Sequence, residues 1–190
     1  TTHDRIANIC EIIRSDNKYQ DFKIYPCMPY AHKYANAVTE LGYMGTIKQF
    51  VPGNLFSTFA KGGLAFMKKD FSALAELMID AELKMFHGIN TPVIWMQNVI
   101  TDLLLGLGMT EFLVTFYNHV KEKHHAEPGF ITMNLPLLLD TLEKAGIRNP
   151  TICASINKIG FRMSGGLKAY EEVIAQKRCK LVAMQVLAAG

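Results

Sequence analysis

Lys144-Ala-Gly146-Ile-Arg-Asn-Pro150, running into Thr151-Ile-Cys-Ala-Ser-Ile-Asn157, is the stretch on which the fold turns. Gly146 suits the left-handed position that ends a helix, and Pro150 blocks any continuation of it. An apolar run that ends on a polar residue follows. The same order recurs at Met85-Phe-His-Gly88-Ile-Asn-Thr-Pro92 before Val93-Ile-Trp-Met-Gln-Asn98. A weaker copy is Val38-Thr-Glu-Leu-Gly42 before Met44-Gly-Thr-Ile-Lys-Gln-Phe50. A unit of helix, glycine, short polar connection and buried strand therefore repeats along the chain.

Helices fill the intervals. Asp70 is a good N-cap for a helix over 71–86, in which Leu74, Leu77, Met78, Ala81 and Met85 form one apolar stripe. Residues 101–108 and 111–123 read as helix, with a break at Gly106 or Gly108, and 137–145 and 168–177 as shorter amphipathic helices. Strands are expected at 23–28, 44–50, 92–97, 129–133, 151–156 and 180–186. Apolar strands alternating with helices imply a parallel sheet covered by helices. No GxGxxG or GxxxxGK[ST] follows any of them, which removes the main support for a nucleotide-binding open sheet. Polar residues close nearly every strand, and a barrel is the arrangement that converges all strand ends on one mouth. The expectation is a parallel (βα)8 TIM-type barrel forming a single domain over 1–190, with the first and last βα units outside the sequence. The 51–69 stretch is a long connection where active-site loops of such a fold belong.

Composition narrows the function classes. A hydrophobic fraction of 49% and a charged fraction of 19% describe a well-buried globular chain. The net charge of +3 is small and scattered, so no nucleic-acid partner is expected. The longest apolar run, 103–109, is far short of the roughly 20 residues of a bilayer span, and no signal-peptide pattern opens the chain. A cytoplasmic protein without a membrane partner is the expectation, and a homo-oligomer is compatible with it. The four cysteines, at 10, 27, 153 and 179, have no CxxC spacing and read as free thiols, Cys27 and Cys153 buried in strands. The six histidines form no HExxH pattern, and His124-His125 reads as exposed loop.

Alternation sorts strand residues between faces. In 151–157, Ile152, Ala154 and Ile156 should pack on helices, which turns Thr151, Cys153, Ser155 and Asn157 inward. In 129–134, Ile131 and Met133 pack outward, leaving Thr132 and Asn134 inside. In 44–50, Met44, Thr46, Lys48 and Phe50 point in; Gln97 or Asn98 and Gln185 close the ring. Lys158 falls on the wrong face and reaches the mouth only by turning in from its loop. No Asp or Glu stands at any of these strand ends, which argues against paired-carboxylate glycoside hydrolysis and against a metal site.

What remains is one lysine among amides and hydroxyls. Without a carboxylate partner, Lys48 inside a barrel should lose basicity through desolvation, as a carbonyl-attacking amine requires; the plain alternative is an anion-binding or snorkelling lysine. Asn98, Asn134 and Asn157 each suit a turn, but together with Gln97 and Gln185 they suit a polar ligand. Ser164-Gly165-Gly166 before a helix would cradle an anion or serve as a simple cap. Tyr30 and His32, just past the 23–28 strand, would supply acid–base groups at the mouth or merely begin a surface helix.

With these residues in place, the arrangement resembles the aldolase-type barrels, many of which form a Schiff base on a strand lysine. Locally, Gly129-Phe-Ile-Thr-Met-Asn-Leu-Pro and the run to Asn157, followed by Leu181-Val-Ala-Met-Gln-Val-Leu-Ala-Ala-Gly190, is similar to the later strands of aldo/keto reductases. That resemblance implies nicotinamide contacts at Thr132, Asn134 and Ser155, with Tyr30 and Lys48 in the order of the family's acid–base pair. This chain departs from it in having Gln97 and Asn98 where the family has His, and no Asp before Tyr30.

Three functions are therefore in view. The first is metal-independent, lysine-based carbonyl chemistry of lyase or aldolase type. The second is an NAD(P)H-dependent reductase. The third is a non-catalytic binder or interaction protein. The expected partner is a small polar or phosphorylated metabolite.

Overall fold

The computed structural model describes residues 2–28 and 67–188, which fall into two compact units, Thr1–Pro92 and Val93–Gly190. The chain is a parallel α/β protein, with five parallel strands among the described residues. Lys48, Tyr30, His32 and the strand expected at 44–50 lie outside the described residues.

The first unit holds α1 (Thr2–Ser15), the short strand β1 (Cys27–Met28) and α2 (Met67–Leu83). Helix α2 starts ahead of Asp70, so Asp70 is not its cap; Met67, Lys68 and Lys69 are good helix formers and let the helix run further back. The expected 23–28 strand shrinks to two residues plus an isolated parallel bridge from Lys23 to Asn90. Pro26 lies between these two pieces and has no N–H to offer a ladder. Arg14 of α1 donates to the carbonyls of Met85 and His87, closing the turn after α2. Cys27 is exposed, contrary to its expected burial, because it stands in this short strand and not in a sheet interior.

The second unit carries β2 (Val93–Met96), α3 (Asn98–Gly106), α4 (Thr110–Lys123), β3 (Glu127–Thr132), α5 (Leu135–Lys144), β4 (Thr151–Ser155), α6 (Gly166–Ala175) and β5 (Lys180–Met184). Strands β2 to β5 pair in parallel in chain order, with Met96 beside Phe130, Phe130 beside Ile152, and Ile152 beside Leu181. Among the described residues β5 pairs only with β4, so the ladder is an open parallel sheet there and not a closed ring.

Helical spacing explains the core. Leu113, Phe116 and Val120 on α4, and Leu135, Leu138, Leu139 and Leu142 on α5, recur at three- and four-residue steps and are all buried. Each such side chain contributes roughly 1.5–3 kcal/mol by leaving water. Phe116 meets Phe130 of β3 edge to face at 5.5 Å, which fixes the even-numbered side of β3 as the helix side. On the other side the ring of Trp95 lies across Gly129, where any β-carbon would collide with the indole.

This register corrects one face assignment. Partners in a parallel ladder share a face, and Thr132 pairs with Ala154. Thr132 therefore lies with Phe130, Ile152 and Ala154 on the helix side, not with Ser155 and Cys153. Both faces of β3 and β4 are largely buried, so alternation alone had no exposed side to anchor it.

At the amino-terminal edge, Glu127 of β3 accepts from Thr151 Oγ1 of β4 at 2.7 Å and from Lys180 Nζ of β5 at 3.0 Å. Arg178 binds Asp140 at 3.1 Å and Glu143 at 2.7 Å, joining the start of β5 to α5.

Candidate functional site

The carboxyl ends of β3, β4 and β5 carry most of the polar residues expected to face a mouth. The turn after β3 is the most heavily bonded. Thr132, fully buried, donates its hydroxyl to Asp102 Oδ1 and accepts from the Asn134 amide at 2.8 Å. Asp102 Oδ2 accepts from the Met133 amide at 3.0 Å. The Met133 carbonyl takes two donors, Tyr170 Oη at 2.7 Å and the Ser164 amide at 2.8 Å. The Tyr170 hydroxyl in turn accepts from the Leu135 amide at 3.1 Å. Burial pushes the Tyr170 hydroxyl above its ordinary pKa, the Leu135 amide works against that, and the Asp102 charge adds to it, so the group stays a donor.

Asn134 is the N-cap of α5, its Oδ1 accepting from the Leu137 amide at 3.4 Å. The helix therefore starts two residues earlier than the sequence suggested, with Pro136 inside its first turn where a missing N–H costs nothing.

At the end of β4, Ser155 is fully buried and donates to Gln185 Oε1, just past β5, at 2.6 Å; the Met133 thioether lies 3.4 Å from the same hydroxyl. Gln185 adopts φ 53°, a left-handed conformation that costs a residue with a β-carbon about 1–3 kcal/mol. With Oε1 held by Ser155, the two N–H groups of Gln185 Nε2 have no hydrogen-bond partner among the described residues.

Asn157 is buried and closed on its own loop: Nδ2 donates to the Phe161 carbonyl at 2.9 Å, and Oδ1 accepts from the Phe161 amide at 2.8 Å. The Asn157 amide points at Met163 Sδ, 3.4 Å away. Lys158 and Ser164 are exposed in this loop, as is Arg162. Gly165 and Gly166 open α6 at φ 96° and 82°, conformations that require glycine, and no side chain caps that helix. Gln97 is the N-cap residue of α3 and Asn98 its first helical residue, so neither continues β2 as a strand end.

Five of the expected site residues, Thr132, Asn134, Ser155, Ser164 and Gln185, thus meet in one hydrogen-bonded set around Met133. Two members of that set were missed, Asp102 and Tyr170. Asp102 gives this edge a carboxylate that no strand end supplies, because it arrives from the second turn of α3. A buried tyrosine needs a partner for its hydroxyl, which was the one available signal for Tyr170.

Chemically, this edge is built to hold shape and offer hydrogen bonds. Ser155 gives its proton to an amide oxygen, which is no base, so it is not an activated nucleophile. Both oxygens of Asp102 serve the β3 turn. No family model matches the chain, and no curated protein or solved structure matches it either.

Proposed function

We propose that the carboxyl-terminal edge of the sheet is a small-molecule site on a (βα)8-type barrel, taking a small polar or phosphorylated ligand. The observation that carries this reading is the Ser155–Gln185 pair. A buried hydroxyl on one strand fixes an amide just past the next, in a backbone conformation that has a cost, and leaves amide donors unspent. Parallel α/β proteins place their ligands outside the carboxyl ends of the strands, and strained backbone concentrates at such places.

The reaction we propose for the protein rests on the sequence and is lysine-based. The amine of Lys48 would add to a substrate carbonyl and release water as the iminium forms, with Tyr30 and His32 moving protons. Among the described residues Ser155 lacks a base and Asp102 is committed to the β3 turn, so neither is offered as a reacting group. A second reading is favoured by the same bonds. Thr132, Asn134 and Asn157 spend their side chains inside the protein and supply no reacting group, so a non-catalytic binder would rely on the Gln185 amide donors.

Two measurements separate these. Backbone amide spectra titrated with phosphorylated three- to six-carbon sugars should show saturable shifts at 155, 157 and 185, weakened by Gln185→Ala. An absence of shifts there with every probe would remove the site. Borohydride treatment with pyruvate or a triose phosphate should leave a mass adduct on Lys48 if carbonyl chemistry occurs. Binding without an adduct would leave the non-catalytic reading.

A further inference from the structure

Within the first unit, α1, the 22–28 segment and the end of α2 line an open cavity of about 620 Å³. That lies within the size range of small-molecule pockets. Its wall includes Ile6 and Ile9 of α1 with Phe22 and Tyr25, side chains that are 37% to 53% exposed. These are large apolar groups left facing the same space, a costly arrangement where no described residue covers them.

The wall also carries two charges, Lys23 and Glu82. They are not equivalent. Glu82 already has an interaction partner within the protein. Lys23 is tied to Asn90 through its backbone, and among the described residues no carboxylate is paired with its ammonium. Among the described residues the uncompensated charge beside the apolar wall is therefore positive.

We propose that this cavity binds an amphipathic small molecule with an alkyl or aryl body and an anionic end, the body against Ile6, Ile9, Phe22 and Tyr25 and the anion at Lys23. The proposal is independent of the site at the carboxyl edge of the second unit. The apolar wall supplies the affinity, and Lys23 selects the sign of the head group. Because Lys23 is exposed, that selection weakens as salt rises.

Two probes of equal chain length and opposite charge, decanoate and decyltrimethylammonium, test it by calorimetric titration of the whole chain at low salt, below their micelle concentrations. Saturable decanoate binding is expected, tighter than that of the cationic probe by about three- to tenfold, the modest factor of an exposed ion pair. Lys23→Glu should reverse the order of the two probes. Ile9→Gln, a change at a half-exposed position that the fold tolerates, should weaken both several-fold. Failure of decanoate to saturate overturns the proposal. So does a head-group preference unmoved by Lys23→Glu, or binding indifferent to Ile9→Gln.

Discussion

Asp102 is the residue on which the β3 turn depends. Its two oxygens hold a buried hydroxyl and a backbone amide, and neither donor has another acceptor of equal strength. Hydrogen bonds to charged groups contribute about 1.5–3 kcal/mol each, and an orphaned buried donor costs about as much. Asp102→Ala should therefore destabilise the protein by about 2–4 kcal/mol in urea unfolding, and Asp102→Asn by less, since its carbonyl still accepts one bond. A loss below 0.5 kcal/mol for the alanine variant would mean the turn stands without it. Asn134→Ala removes a cap and should cost about 1 kcal/mol by the same measurement. Neither role was legible from the residues alone. By sequence Asn134 suits a ligand group and a turn residue equally, and only the 3.4 Å bond to the Leu137 amide shows what its oxygen does. Asp102 lies in a helical stretch, and helix residues reach a strand end only through tertiary packing.

The elements themselves were largely legible, for a physical reason. Glycine and proline punctuate the chain at 88, 92, 146 and 150, and between them the apolar period switches cleanly from helix to strand. Ends moved where capping chemistry decided them, as at Asn134 and at Gly165 before α6. Faces were less secure. Ile131 and Thr132 exchanged sides because a strand buried on both faces gives alternation nothing to measure against. At the opposite edge, Glu127 links β3, β4 and β5 and gives the sheet a pH dependence. Burial raises its pKa, but hydrogen bonds from Thr151 and Lys180 and the charges of Lys180 and Lys121 more than offset that, holding the carboxyl below its ordinary 4.5. A carboxyl depressed in the folded state stabilises fully above its unfolded value and loses that contribution as pH falls through the folded one. Stability should thus begin to drop as pH passes below 4.5, and Glu127→Gln should flatten this part of the curve of unfolding midpoint against pH. An unchanged slope would show that the sheet edge does not depend on this charge.

At the scale of the whole molecule, the parallel α/β class follows from both sequence and structure, while the eight-stranded closure is part of the functional proposal. No helix among the described residues is long and apolar enough to cross a membrane. None of the four cysteines is in a disulfide, and they differ in access: Cys27 is exposed, Cys153 and Cys179 are half-buried and Cys10 is buried. Burial also raises the thiol pKa of Cys10, Cys153 and Cys179, keeping them protonated and slow at neutral pH. A thiol-reactive disulfide reagent should therefore modify Cys27 first, release four equivalents only in denaturant, and find no change in melting temperature on adding reductant. A reductant-induced fall in melting temperature would contradict the free-thiol assignment.

The packing of Trp95 over Gly129 has a spectroscopic consequence. It is the chain's single tryptophan, and it sits 9% exposed on the sheet of the second unit. Intrinsic emission excited at the red edge of the protein band therefore reports on that sheet and is blind to the first unit. Circular dichroism, by contrast, draws on the helices of both. If the two signals are followed through one denaturant titration, coincident curves mean that the units unfold together, and separated curves give the stability of each without any change to the sequence.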